Sequence, residues 1–209
     1  MTDTALPVES VNYADGPDQD HEVTNTGISN PKLGMWVFLA SECLLFGGLI
    51  STFLLYKHNN AAGGPLPHDL YDIELTSISS FVLLMSSLTM VLAVSAIQRG
   101  DHPRLRLWLI VTAVLGSVFI SGQVYEFQVF VKEGMGFTTN AASSAFFGLT
   151  GFHGVHVTLG IVMLLSTVVL SALGRLPRAR AEAVEIVGLY WHFVDVVWVL
   201  IFTIVYLIP

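Results

Sequence analysis

The stretch YWHFVDVVWVLIFTIVYLIP, residues 190–209, decides the fold, because it is long and apolar enough to cross a membrane as a helix. Four earlier runs share its length and apolar character. The sequence therefore predicts an all-α integral membrane protein, built as a bundle of five transmembrane helices. The predicted helices cover about residues 33–57, 75–98, 105–130, 144–174 and 185–208.

Composition supports this division of the chain. Hydrophobic residues make up 53% of the sequence and charged residues 12%, outside the usual balance of a soluble domain. The first 32 residues differ from the rest, since they are acidic and turn-rich and contain no apolar run. We therefore expect a polar N-terminal tail over residues 1–32 and one five-helix transmembrane domain over residues 33–209.

Basic residues predict the orientation. The loops at residues 98–106 and 174–182 carry three arginines each, whereas the other two loops carry one lysine each. The positive-inside rule places both arginine-rich loops and the N-terminus in the cytoplasm and the C-terminus outside. Aromatic residues at the predicted helix ends agree with two interfacial belts. The inner belt comprises Trp36, Trp108 and Trp191, and the outer belt Tyr56, Tyr71, Tyr125 and Tyr206.

Ionisable residues inside the predicted helices are the candidate functional residues. With a rise of about 1.5 Å per residue, Glu42 lies roughly 9 Å inside the inner interface and Asp195 roughly 6 Å inside it. His192 precedes Asp195 by three residues, which places both on one helical face. A charged group facing lipid is costly, so these side chains should point into the bundle. The other intramembrane polar candidates are Glu126, His153 and His156.

Two roles remain open for Glu42, His192 and Asp195. They are expected to form one buried polar network at the cytoplasmic end of the bundle, holding the first and fifth helices in register. The alternative role is support of proton uptake. The HGVH segment of the fourth helix supplies two histidines, which are half a metal site, and no dinucleotide or phosphate-binding motif is present. We therefore predict no catalytic residue and no metal ligand on this chain.

Four motifs resemble one family, subunit III of haem–copper terminal oxidases, also known as the cytochrome c oxidase subunit 3 family. They occur in the family's order, and the resemblance extends from Leu33 to Pro209. The final helix carries the most distinctive motif. The motifs are SECLLFGG at 41–48, QVYEF at 123–127, TGFHGVHVTLG at 150–160 and YWHFVDVVW at 190–198. The chain resembles the short five-helix bacterial form, which lacks the first two helices of longer members.

The resemblance implies a non-catalytic subunit of a proton-pumping oxidase that reduces oxygen to water. It implies no cofactor on this chain, with haem and copper in partner subunits, and bound phospholipid. The implied partners are subunit I by direct contact, subunit II, small subunits or a respiratory supercomplex, and no nucleic acid. The implied location is the bacterial plasma membrane, crossed several times.

The resemblance also assigns individual residues and leaves the electron donor open. Glu42 matches the family's buried carboxyl, Arg175 an arginine that holds a lipid phosphate, and Glu185 an acid that precedes the final motif. Cytochrome c is the favoured donor and quinol the alternative. A stand-alone ion or proton transporter is a more distant alternative, because an odd number of helices without duplicated halves is unusual for transporters.

Overall fold

The computed structural model describes residues 29–57, 73–176 and 181–208, and these segments form a bundle of five helices. Residues 1–28 of the predicted tail (residues 1–32) lie outside the described residues, and its residues 30–32 belong to the first helix. All five helices are long and apolar enough to span a membrane, which confirms the predicted fold class. The helices are α1 (Asn30–Tyr56), α2 (Ile73–Gln98), α3 (His102–Lys132), α4 (Ala141–Ala172) and α5 (Ala181–Phe202), and a π-helical turn (Thr203–Leu207) continues α5.

The helix ends follow from short polar and glycine signals in the sequence. The side chain of Asp101 accepts a hydrogen bond from a backbone amide in the first turn of α3, and Asn140 does the same for α4. Gly100, Gly134 and Gly174 follow α2, α3 and α4 with φ values of 78°, 87° and 69°. Glycine adopts this left-handed conformation without strain, so it ends a helix readily.

The peripheral position of α1 distinguishes it from the other helices. Helices α2 and α3 pack against each other most extensively, and α5 packs against α1, α2 and α4. The main contacts of α1 are with α4 and α5 alone. Most of its surface therefore remains uncovered by the rest of the chain.

The inward face of α1 repeats with alternating spacings of four and three residues. Its members are buried or half-buried and point toward α4 and α5. This spacing is the heptad pattern by which two helices keep a continuous seam of contact. Met35, Leu39, Glu42, Phe46, Leu49 and Phe53 form this inward seam. Glu42 is therefore a single polar residue in an otherwise apolar seam.

The ring of Trp191 fills the centre of the bundle and is only 1% exposed. A Cβ added to Gly116 of α3 would lie 2.6 Å from this ring, and one added to Gly160 of α4 would lie 2.8 Å from it. The indole N–H donates to Ser86 Oγ of α2 at 2.9 Å. The two glycines thus create the space for the ring, and Ser86 satisfies its polar atom.

Two of the expected belt residues are therefore core residues. Trp191 was expected at the inner membrane interface, and this prediction is wrong because Gly116 and Gly160 admit the ring between the helices. Tyr206 lies at the end of the Ala181–Leu207 span, where the outer belt was expected, but its side chain is buried and its hydroxyl donates to Glu126. An indole or a phenol suits a membrane interface and a polar core pocket equally, so the sequence does not separate the two locations.

The C-terminal ends of α1 and α5 meet through Lys57. Its ammonium donates to the backbone carbonyl of Ile208, and the Lys57 residue is buried. Burial lowers the pKa of the Lys57 ammonium from its ordinary value. A cation at a helix C-terminus interacts favourably with the carbonyls that have no helical partner, so this contact ties the end of α1 to the end of α5.

We expect Gly160→Ala to destabilise the protein by about 1–3 kcal/mol, because the new methyl group would overlap the rigid Trp191 ring. Gly148→Ala is the matched control on the same helix, since a Cβ there meets nothing within 4 Å. The apparent melting temperature of each variant in detergent measures the effect. A Gly160→Ala melting temperature equal to that of Gly148→Ala would contradict the packing described for Trp191.

Candidate functional site

The first polar cluster joins α1, α4 and α5 near the middle of the bundle. Glu42 Oε2 lies 3.1 Å from His156 Nε2, and both side chains are nearly buried. The other ring nitrogen, His156 Nδ1, lies 2.8 Å from the carbonyl oxygen of Phe152. The hydroxyl of Tyr190 donates to the carbonyl oxygen of His156 at 2.9 Å. Glu42 thus ties the peripheral α1 to α4, at the point where α5 also contacts α4.

The carbonyl oxygen next to His156 Nδ1 determines which ring nitrogen carries a hydrogen. A carbonyl oxygen only accepts, so Nδ1 of His156 carries a hydrogen. Nε2 then either accepts a hydrogen bond from the neutral Glu42 carboxyl group or, in a doubly protonated ring, donates one to the Glu42 carboxylate. Both arrangements give the pair a net charge of zero. A neutral pair suits an apolar membrane interior better than a lone carboxylate does.

The second polar cluster joins α5 to α2 through one hydroxyl group. Ser87 Oγ donates to Asp195 Oδ2 and lies 2.8 Å from His192 Nδ1. Because the single hydroxyl hydrogen goes to Asp195, His192 Nδ1 acts as the donor to Ser87 Oγ. Asp195 is 3% exposed, and its second oxygen, Oδ1, has no hydrogen-bond partner. His192 and Asp195, three residues apart on α5, therefore both hydrogen-bond to Ser87 of the neighbouring helix α2.

The single network expected from the sequence is wrong, because the structure has two separate clusters. In the described segments no hydrogen bond joins Glu42 to His192 or Asp195; α1 is tied to α4, and α5 is tied to α2. The expected depth of Asp195 was measured from Trp191, which is a core residue and not an interface marker. Asp195 lies instead near the middle of the Ala181–Leu207 span.

His153 is fully buried among aromatic rings. Its ring stacks on Trp198 with a centroid separation of 4.9 Å and meets the edges of Phe119 and Phe46 at 5.9 Å and 6.4 Å. Neither ring nitrogen has a hydrogen-bond partner. Among the described residues, no group of three or more His, Cys, Asp or Glu side chains is placed to hold a metal ion. His153 therefore packs as a flat ring, and its neighbour His156 makes the polar contact.

Glu126 belongs to a third cluster, which joins α3 to α2 and to the turn after α5. Its Oε2 accepts from the Tyr206 hydroxyl at 3.0 Å, and its Oε1 accepts from the Thr76 hydroxyl at 3.2 Å. Glu126 is 6% exposed and faces the bundle, as expected of an intramembrane acid. One turn away, Gln123 donates to the carbonyl oxygen of Thr150 at 2.9 Å and joins α3 to α4.

The last two candidates, Arg175 and Glu185, lie at one end of the bundle, near the end of α4 and the start of α5. Glu185 accepts from Lys32 at 3.1 Å and from Gln98 at 3.0 Å, so it joins the start of α5 to α1 and α2. Arg175 follows the glycine that ends α4, and its backbone amide donates to the carbonyl oxygen of Leu170 at 3.0 Å. The assignment of Arg175 to a lipid phosphate stays a prediction.

Sequence reasoning missed the partners of these acids and tryptophans, which are mostly hydroxyl groups of α2. Ser86 and Ser80 accept from the indole N–H groups of Trp191 and Trp198, and Ser87 joins Asp195 to His192. The sequence did carry a signal, since Ser80 and Ser87 are seven residues apart in the uncharged part of α2 and fall on one face. That spacing indicates a polar stripe but does not say which helix meets it.

These features define a class of protein: an all-α, multi-pass membrane protein whose buried polar side chains join its own helices. The chain matches the protein-family model described as Cytochrome c oxidase subunit III over residues 18–208. It belongs to this family. It is therefore a subunit III component of a terminal oxidase, an oxidoreductase complex of the respiratory chain, in the bacterial plasma membrane.

Individual relatives support the family assignment, and some are named for cytochrome c as electron donor and others for quinol. The chain is 43% identical over 176 residues to "Quinol oxidase subunit 3" of Bacillus subtilis (strain 168), covering 84% of this chain and 85% of the relative. It is 40% identical over 178 residues to "Cytochrome c oxidase subunit 3" of Bacillus sp. (strain PS3), covering 85% and 86%. It is also 41% identical over 177 residues to "Probable quinol oxidase subunit 3" of Staphylococcus saprophyticus, covering 85% and 88%.

A double-mutant cycle tests the contact between α1 and α4. Glu42→Ala and His156→Ala should be coupled by about 0.6–1.7 kcal/mol in the free energy of unfolding, from the average to the largest coupling measured for hydrogen bonds between transmembrane helices. The control pairs Glu42→Ala with Thr167→Ala, because the Thr167 hydroxyl bonds only within α4. Additivity of the first pair to within about 0.3 kcal/mol would show that the two side chains do not interact.

Removal of the hydroxyl that joins α2 to α5 tests the second cluster. Ser87→Ala deprives buried Asp195 of its donor, so we expect a loss of about 1–3 kcal/mol in unfolding free energy. Ser166→Ala is the control, since that exposed hydroxyl bonds only to the carbonyl oxygen of Val162 in its own helix. Chemical unfolding in mixed micelles measures both, and equal losses would argue against an energetic role for Ser87.

Proposed function

We propose that this chain is the non-catalytic subunit III of a proton-pumping haem–copper terminal oxidase that reduces oxygen to water in aerobic respiration. It packs on subunit I, within a complex that also contains subunit II, and haem and copper reside in those partner subunits. The observation that carries this proposal is the pairing of the intramembrane acids with the chain's own residues: Glu42, Asp195 and Glu126 each contact a neighbouring helix. Acids engaged in helix contacts suit a structural subunit.

The outward face of α1 supports the packing on subunit I. It repeats with spacings of three and four residues, as the inward seam does, and all its members are exposed. A Cβ on Gly34 or Gly48 would meet nothing within 4 Å, so a partner helix could approach the α1 backbone closely there. We call this face the outer seam, and it comprises Gly34, Val37, Ser41, Leu44, Gly48, Ser51 and Leu55.

The polar clusters bear on the proton-uptake role expected for the subunit. In the part of the chain that the structure describes, no hydrogen bond connects the Glu42, Asp195 and Glu126 clusters with one another. A relay that crosses the bundle would need such connections. We therefore assign these clusters to helix packing, and the subunit supports proton uptake by subunit I through its position against it, with the N-terminus in the cytoplasm.

Lipid binding belongs to the same proposal. Arg175 lies beyond the end of α4 and is exposed, and α4 is a membrane-spanning helix. An arginine at that depth lies where the phosphates of a bilayer lie, and its guanidinium suits bidentate contact with a phosphate. We propose that Arg175 holds a phospholipid headgroup in the leaflet next to the arginine-rich loops.

Cytochrome c is the electron donor in the leading proposal, and quinol is the second candidate. Relatives named for each donor are nearly equally similar to this chain, at 40% and 43% identity. A subunit that does not contact the donor would show such near equality. The donor is therefore a property of the assembled complex.

Purification through a tag on this chain tests the proposal and identifies the donor. In mild detergent we expect co-purified haem bands and oxygen uptake driven by reduced cytochrome c; uptake driven by quinol alone would select the second candidate. A colourless, monodisperse chain from respiring cells would contradict the oxidase assignment.

A matched pair of variants tests the outer seam in the same preparation. Gly48→Leu should reduce the co-purified haem at least tenfold, because the larger side chain blocks close helix approach. Gly148→Leu on α4 is the control, since it too extends into open space but lies away from the seam. Equal haem in both preparations would exclude the outer seam as the contact with subunit I.

A further inference from the structure

A groove of about 310 Å³ runs between α3 and α4 on a surface that the described residues leave uncovered. From α4 it is lined by Gly151 and Gly154, and a Cβ on Gly151 would meet nothing within 4 Å. A second hollow of about 410 Å³ continues the groove toward the end of α3, because Val124 and Phe127 line both. The second hollow ends at Lys132. The two form one continuous path along the membrane-spanning surface.

Two polar side chains line the groove, and each already donates a hydrogen bond within the protein. Gln123 Nε2 donates to the carbonyl oxygen of Thr150 at 2.9 Å. Thr158 Oγ1 donates to the carbonyl oxygen of Gly154 at 2.8 Å. The remaining lining is aliphatic, aromatic or glycine backbone. A ligand gains little by offering polar groups here, so the groove suits a hydrocarbon chain.

The open end of the path carries a positive charge at the depth of lipid headgroups. Lys132 is fifteen residues from Ser117 at the middle of α3, or about 22 Å along the helix. Half the thickness of a bilayer with its headgroups is about 20–22 Å. Lys132 is exposed, and Gln128 lines the same hollow one turn earlier. An ammonium and an amide at this depth favour an anionic phosphate.

The length of the path also fits one lipid chain. From Ile120 to Lys132, α3 rises about 18 Å, comparable to most of an extended acyl chain.

We propose that the groove between α3 and α4 binds one phospholipid. Its acyl chain lies along Gly151 and Gly154, and its phosphate contacts Lys132. The site is at the opposite end of the bundle from Arg175, in the leaflet that the arginine distribution predicts to be the outer one. It does not depend on which electron donor the complex uses or on the outer seam of α1.

Native mass spectrometry of the intact oxidase complex tests the site. The complex is depleted of lipid with detergent and then titrated with phosphatidylglycerol. Gly151→Leu should weaken the binding of one phosphatidylglycerol at least tenfold by filling the groove. Gly148→Leu, which lies in open space outside the groove, should bind as the unchanged protein does. Equal binding by the two variants would overturn the proposal, while haem content reports separately on complex assembly.

Two further measurements identify the occupant. Lys132→Gln should weaken phosphatidylglycerol binding about fivefold, because one basic residue near a lipid surface contributes about that much. A photoreactive amino acid at Val155, on the exposed rim of the groove, should form an adduct with lipid. Unchanged binding by Lys132→Gln would overturn the headgroup contact, and an adduct with a protein subunit in place of lipid would overturn the proposed occupant.

Discussion

A polar side chain inside a membrane has no water to bind, and this constraint determines how the five helices meet. Each intramembrane acid finds its partner on another helix: Glu42 on α4, Asp195 on α2, and Glu126 on α2 and the turn after α5. Apolar contacts alone would drive helix association weakly in lipid, because lipid tails are as apolar as the helix surfaces. The acids therefore specify which helices pair and at what register.

The packing of tryptophan rings against glycines also determines how the helices meet. Trp191 enters the centre of the bundle because Gly116 and Gly160 leave space for its ring, and Ser86 accepts its N–H. Trp198 repeats the pattern one heptad later, with Ser80 as its acceptor and His153 stacked on its face. Each of these two tryptophan rings thus has its single polar atom satisfied by a hydroxyl of α2.

Helix α1 has an inward contact surface and an exposed outward face with the same spacing. Its inward seam holds Glu42 as the one polar member, much as a single polar residue fixes the register of a coiled coil. Its outer seam has the same heptad spacing but places Gly34, Ser41 and Gly48 on the exposed side. A peripheral helix with contact seams on both faces suits a subunit that must hold its own fold and also join a larger membrane complex.

Much of the fold could be predicted from the sequence, and much of the site could not. The five helices follow from the length and composition of the apolar runs, because crossing the hydrocarbon core requires both. The i,i+3 spacing of His192 and Asp195 placed them correctly on one face, but spacing within a helix does not identify the neighbouring helix that supplies Ser87. Trp191 misled the depth estimate, since an indole near the end of an apolar run fits an interface or a core pocket.

The most direct test of this account is an electron cryo-microscopy map of the assembled oxidase. The account predicts that a helix of subunit I lies against Gly34, Ser41 and Gly48, with Glu42 and His156 in hydrogen-bond contact on the opposite face of α1. It also predicts that no haem or copper ligand comes from this chain. A map in which the outer seam of α1 faces lipid while the catalytic subunit packs against α2 and α3 would contradict it.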